Sequence, residues 1–212
     1  STLLASSAAS DVYKRQIMVC VLFLSMCIPC EAAQTSTATA SDANATTGFP
    51  QITSTSAIIM DAQSGQIIYE KNSHTRQYPA SITKIMTAYL AIKNGDLNST
   101  ITMSDAAVWG IDRNSSHIAL DVGEEISMSD ALYAVMLMSA NEAAWAIAEQ
   151  VSGSLENFVQ LMNDTAQSLG CKDTHFTNAN GLHDPDHYTT AYDMALITKE
   201  ALTSKTLSLI HI

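Results

Sequence analysis

An almost unbroken apolar run from Ile17 to Ile28 decides how much of this chain is available to fold as a domain. At about a dozen residues it falls short of the roughly 20 that a membrane-spanning helix needs. Lys14 and Arg15 precede it, and Pro29-Cys30-Glu31-Ala32-Ala33 follows, so residues 17–32 read as a secretory signal peptide with cleavage after Ala32. Met26 and Pro29 stand where a lipid-anchored cysteine would want a small neighbour, which argues against an anchor at Cys27 or Cys30. The Cys27-x-x-Cys30 spacing lies inside the apolar segment and so does not read as a redox or metal motif. With Cys20, Cys27 and Cys30 assigned to the signal, Cys171 is left alone, and the exported domain must be held by its hydrophobic core rather than by a disulfide.

Residues 33–48 are nearly all Thr, Ser, Ala, Asn and Asp, too poor in apolar groups to order themselves, and read as a disordered linker. Residues 1–16 and 207–212 lack periodicity or a cap and read as an artificial leader and tail. The segment 49–206 remains as the part able to fold as a domain. With 47% apolar residues and a net charge of -11, the chain is neither disordered nor a basic nucleic-acid binder. Its acidic excess reads as a solvated surface.

Within 49–206, Ser56-Ala-Ile-Ile-Met-Asp61 and Gln66-Ile-Ile-Tyr-Glu-Lys71 are β-rich runs flanking Ala62-Gln-Ser-Gly65, which predicts a hairpin. After Pro79, the spacing of Ile82, Ile85, Met86, Tyr89 and Leu90 predicts a helix stopped by Asn94-Gly95. Ser127 with Asp130 caps a second helix. Glu142 to Val151, Ser154 to Leu169 and Thr190 to Ala201 give three more. Strands followed by many helices indicate an α+β protein. Trp109 and Trp145, in Ala-rich surroundings, are expected in the core.

Two short patterns carry chemistry. In Ser81-Ile82-Thr83-Lys84, a serine and a lysine at i and i+3 share a helix face, near a helix N-terminus that favours developing negative charge. A serine hydroxyl needs a base, and lysine serves only when burial lowers its pKa. In Ser139-Ala140-Asn141, a turn offers a hydroxyl to relay a proton and an amide to bind a substrate backbone; the alternative is that both residues cap the next helix. His183-Asp184-Pro185-Asp186-His187 gathers metal-ligand types, but Pro185 prevents the helix that would align the two imidazoles, so no metal is expected.

These patterns resemble the exported serine D-alanyl-D-alanine carboxypeptidases, the low-molecular-mass penicillin-binding proteins. The resemblance runs from Ser56 to Leu202 and includes Ala57-Ile-Ile-Met-Asp-Ala-Gln-Ser-Gly65, Pro79-Ala-Ser-Ile-Thr-Lys-Ile-Met-Thr-Ala88, Val122-Gly-Glu-Glu125, Met138-Ser-Ala-Asn-Glu-Ala-Ala144 and Thr174 to Tyr188. It implies an antiparallel sheet flanked by a helical cluster, as in serine β-lactamases and DD-peptidases. It further implies Ser81 as acylated nucleophile, Lys84 as general base, Ser139 as proton relay, and Asn141 as holder of Lys84 and substrate ligand. The Ser81 N–H would form half of an oxyanion hole.

The substrate so implied is a peptidoglycan stem peptide ending in D-Ala-D-Ala, with β-lactams as acylating inhibitors, at the outer face of the bacterial cytoplasmic membrane and without any cofactor. A C-terminal membrane anchor is common in such proteins. The family's Lys-Thr-Gly strand is not found: Lys205-Thr206 is followed by Leu207 and comes too soon after the preceding helix. The chain is therefore expected to be C-terminally truncated, to lack the last strands of the sheet and to be inactive as it stands. The alternatives are a serine β-lactamase, disfavoured because no Glu lies between Cys171 and Tyr188, and a silent peptidoglycan-binding fragment.

Overall fold

The computed structural model describes residues 52–211, apart from the His211 side chain. The leader, export signal and linker expected over residues 1–48 lie outside the described residues. Among those described, no helix is long and apolar enough to cross a membrane.

The hairpin forms as expected. Strands β1 (Ala57–Met60) and β2 (Ile67–Lys71) pair antiparallel, Ala57 opposite Lys71, with a bulge at Ile59/Met60. Asp61 organises the turn: its Oδ1 accepts from the Ser64 N–H at 2.6 Å and the Ser64 hydroxyl at 2.6 Å, which holds its carboxyl below the usual range. Gly65 then takes φ +77, a conformation that costs a residue with a Cβ. The sequence pattern did not reveal β3 (Thr100–Thr102) and β4 (Glu125–Ser127), a second antiparallel pair that buries Ile101.

The helices follow their caps. Lys84–Asn94 forms α1, and Ser104 caps the short α2 (Asp105–Trp109) by accepting from the Ala107 N–H. Ser127 caps α3 (Met128–Met138), its oxygen accepting from the Asp130 N–H while its hydroxyl donates to the Asp130 carboxylate. Helix α4 (Asn141–Ser152) ends at Gly153, and Ser154 opens α5 (Leu155–Ser168). Thr190 caps α6 (Ala191–Ala201) by accepting from the Asp193 N–H. Where the sequence offered no cap near Leu207, the Ser204 hydroxyl oxygen accepts from the Leu207 N–H. Residues Lys205–His211 form helix α7, with Leu207 and Ile210 buried. Lys205-Thr206 therefore starts a helix and not a strand.

Helix α1 runs through the centre and is buried on nearly all sides. Ala143, Ala144, Ala146 and Ala148 make α4 a thin helix that can pack closely beside its neighbours. Phe158, Met162 and Ala166 of α5, one turn apart, close the core from outside. Burying a Phe or Met side chain of this kind contributes about 1.5–3 kcal/mol. The hairpin packs against α6 and leaves an apolar cleft of about 390 Å³ lined by Ile58, Met60, Ile82, Ile85, Met194 and Leu202.

The two tryptophans part company. Trp145 packs on the core and donates its indole N–H to Glu149 at 3.0 Å. Trp109, expected inside, is 61% exposed, because α2 ends with it and its ring meets the Arg113 guanidinium at 5.5 Å instead.

Candidate active site

The site grows from the way the chain enters α1. Pro79 fixes one backbone angle and Ala80 takes φ +49, a left-handed conformation rare outside glycine. The chain then makes one tight 3-10 turn, Ala80–Thr83, before α1 begins. Ser81 thus lies in the turn before the helix rather than within its first α-helical residues, as the apolar spacing alone had suggested. The turn leaves Ser81 exposed and sends Lys84 inward, where it is 2% exposed.

The second contribution comes from the junction of α3 and α4. Ser139 ends α3 at φ +56, again left-handed. The N-cap of α4 is Ala140, with no side-chain cap. Ser139 and Asn141 are therefore not spent on capping. Strain of this sort costs on the order of 1–3 kcal/mol per residue and persists only where surrounding structure enforces it.

The four residues converge. The Ser139 hydroxyl donates to Ser81 Oγ at 2.8 Å, and Lys84 Nζ lies 3.2 Å from Ser81 Oγ. Lys84 Nζ also donates to Asn141 Oδ1 at 2.7 Å and to the Asn180 carbonyl at 2.6 Å. Asn141 is oriented in turn by donating its amide to Ser115 Oγ at 2.8 Å.

These distances have a protonation consequence. Asn141 Oδ1 and the Asn180 carbonyl can only accept, so both contacts need N–H groups of Lys84. A neutral amine has two such hydrogens, and with both committed its lone pair is left for Ser81. In that neutral form the third contact runs from the Ser81 hydroxyl to the amine; in the charged form the ammonium donates its third N–H to Ser81 Oγ. Burial pulls the Lys84 pKa down to about 8, with the Glu142 charge acting the other way. A sizeable neutral fraction at mildly alkaline pH follows.

Sequence reading did not find several of the supporting groups. The Asn180 carbonyl is a backbone atom and carries no side-chain signal. Ser115 sits in a polar loop without a pattern. Glu142, beside Asn141, is fully buried and accepts the Ile118 N–H at 2.7 Å. The two imidazoles of the 183–187 segment go to different places: His183 meets the Tyr78 ring edge-on at 4.6 Å, while buried His187 lies 2.8 Å from Thr83 Oγ1.

A serine held between a buried lysine and a second hydroxyl is an arrangement that can support acyl transfer, with the lysine able to accept the serine proton when neutral. Comparison with known proteins agrees. The model of the D-alanyl-D-alanine carboxypeptidase family matches residues 41–212, and the chain belongs to that family. It is 43% identical over 156 residues to the D-alanyl-D-alanine carboxypeptidase DacA of Haemophilus influenzae, covering 70% of this chain and 39% of that protein. To DacF of Bacillus subtilis it is 41% identical over 150 residues, covering 69% of this chain and 38% of that protein. The chain thus spans about two fifths of the length of these relatives.

Among solved structures, penicillin binding protein 5 of Haemophilus influenzae aligns with a TM-score of 0.69 at 37% identity, over 74% of this chain and 47% of that one. The D-alanyl-D-alanine carboxypeptidase DacD of Francisella tularensis aligns with a TM-score of 0.67 at 32% identity, over 76% of this chain and 40% of that one. The fold is that of the DD-peptidases and serine β-lactamases, present here over the part that carries the helical cluster.

Proposed function

We propose that the protein containing this chain is a serine D-Ala-D-Ala carboxypeptidase that removes the terminal D-alanine of peptidoglycan stem peptides through an acyl-enzyme on Ser81. The observation that carries this reading is the hydrogen-bonded line from Ser139 through Ser81 to Lys84, with Lys84 Nζ also donating to Asn141 Oδ1 and the Asn180 carbonyl. In the first step Ser81 Oγ attacks the carbonyl carbon of the scissile amide while its proton passes to Lys84. Charge that builds on the carbonyl oxygen is met by backbone N–H groups, of which the Ser81 N–H is one.

Collapse of the tetrahedral intermediate breaks the C–N bond, and the departing D-alanine nitrogen takes the proton from Lys84 through the Ser139 hydroxyl. Asn141 fixes Lys84 and offers its amide to the substrate backbone. Water then cleaves the Ser81 ester by the reverse proton path. A β-lactam acylates the same oxygen and leaves slowly. The chemistry needs no metal or organic cofactor. Export through the 17–32 segment would put the enzyme at the outer face of the cytoplasmic membrane, where its substrate is.

The test is release of D-alanine from a peptide ending in D-Ala-D-Ala by the full-length gene product. Turnover that vanishes in Ser81→Ala supports the assignment. Turnover retained by Ser81→Ala, or none in the unaltered protein, overturns it.

A further inference from the structure

The loop from Thr177 to His187 is tied to the residues around Ser81 at four points. Gly181 packs under Ala80 so closely that an added Cβ would lie 1.9 Å from the Ala80 carbonyl oxygen. His187 meets Thr83, the Asn180 carbonyl accepts from Lys84, and the Ala179 carbonyl accepts from the Thr87 hydroxyl at 2.6 Å. Positions 80, 83, 84 and 87 form one stripe along the turn and helix. In three of these ties the loop contributes only backbone. His187 alone contributes a side chain.

We propose that His187 is a positioning residue for the Ser81 and Lys84 pair, holding the tight turn between them through its hydrogen bond to Thr83. The inference rests on the acyl-enzyme reading above and adds to it a group that touches neither substrate nor the reacting atoms. His187 is 2% exposed, and an imidazole that far from water is costly unless its polar atoms are paired. Both are. The Thr177 N–H donates to Nδ1 at 3.0 Å, so Nδ1 carries no proton and the neutral ring holds its hydrogen on Nε2. That N–H is aimed at Thr83 Oγ1, 2.8 Å away.

Thr83 lies between the two reacting side chains in a turn of only four residues. A rotation of the turn therefore moves Ser81 Oγ and Lys84 Nζ relative to each other. The Phe176 ring packs edge-on against the imidazole at 5.6 Å and fixes its plane. Burial pushes the imidazole pKa down to about 4, assisted by His175 and opposed by Asp184, so the hydrogen bond persists across the working pH range.

The experiment is the second-order rate of acylation by a fluorescent penicillin, with thermal melting, in the full-length gene product. Thr83→Val removes the acceptor at constant shape, and His187→Phe removes the donor. Each is expected to slow acylation by about 10–100-fold, the scale of a misplaced reacting group. The double variant should be no slower than the slower single, because both break one bond. His187→Gln, whose amide can donate to Thr83, should recover most of the loss.

Acylation at the unaltered rate in both single variants, or losses that multiply in the double, would overturn the proposal. So would His187→Gln behaving like His187→Phe, or ring nitrogen NMR shifts placing the proton on Nδ1. If His187→Phe does not fold, the isosteric Thr83→Val carries the test. An unaltered protein that takes no label overturns the acyl-enzyme reading itself; a labelled one with unaffected variants overturns only the positioning role.

Discussion

The Ser139 hydroxyl donates to Ser81 Oγ at 2.8 Å across 58 positions of sequence, from the left-handed end of one helix to the tight turn before another. The direction of that bond matters. With Ser139 donating to Ser81, the Ser81 proton is free to point at Lys84, so the three groups form one line rather than two competing pairs. Ser139→Ala breaks the line at its outer end without disturbing Lys84. D-alanine release by the full-length protein is expected to fall by about 10²–10⁴-fold, the usual range for a lost proton-transfer group, with little change in melting temperature. Turnover within a factor of a few of the unaltered enzyme would remove Ser139 from the proton path.

Lys84 sets the pH dependence. In the proposed mechanism its neutral form is the base, and burial brings the pKa to about 8. Acylation should therefore rise with pH along a limb whose midpoint lies near that value. The Glu142 charge acts to raise the Lys84 pKa, so Glu142→Gln should move the midpoint to lower pH. A stopped-flow profile of penicillin acylation against pH checks both, and a midpoint that moves upward in the variant would contradict the electrostatic account.

His187 ties stability to pH. Its folded pKa is about 4 against 6.5 for the free side chain, so between those values the unfolded chain binds the additional proton. The stabilisation by the neutral buried ring is complete above 6.5 and is lost as pH falls towards 4. Urea denaturation at several pH values should show the stability gap between the unaltered protein and His187→Gln shrinking over that window. A gap that widens on acidification would contradict the burial of a neutral ring.

Much of the fold was readable because local signals coincide with their structural cause. The hairpin followed from two β-branched runs and a glycine able to take φ +77, and α3 followed from Ser127 with Asp130 at its start. Strands β3 and β4 were not readable, since each has three residues and the pair is brought together only by the tertiary fold. Trp109 was misplaced because composition cannot show that a helix ends at its own aromatic residue. In the site, Ser81, Lys84, Ser139 and Asn141 were named from two short motifs and the family resemblance. The Asn180 carbonyl and the His187 to Thr83 link were not, because one is a backbone atom and the other joins residues 104 positions apart.

Gly181 is the least replaceable of the loop's ties. It combines φ +84 with a close approach to the Ala80 carbonyl, which is backbone and cannot swing aside. Gly181→Ala should destabilise the fold on the order of 2–4 kcal/mol by chemical denaturation, and should slow acylation even where the protein remains folded. A variant as stable as the unaltered protein would show that the loop is not packed against the turn.

The central claim is that Ser81 carries the acyl group. Incubating the full-length gene product with penicillin and mapping the modified peptide by mass spectrometry reads that claim directly. The predicted result is one adduct, on the peptide containing Ser81, absent from Ser81→Ala and strongly slowed in Lys84→Ala. An adduct on any other residue, or one that survives Ser81→Ala, would contradict the account.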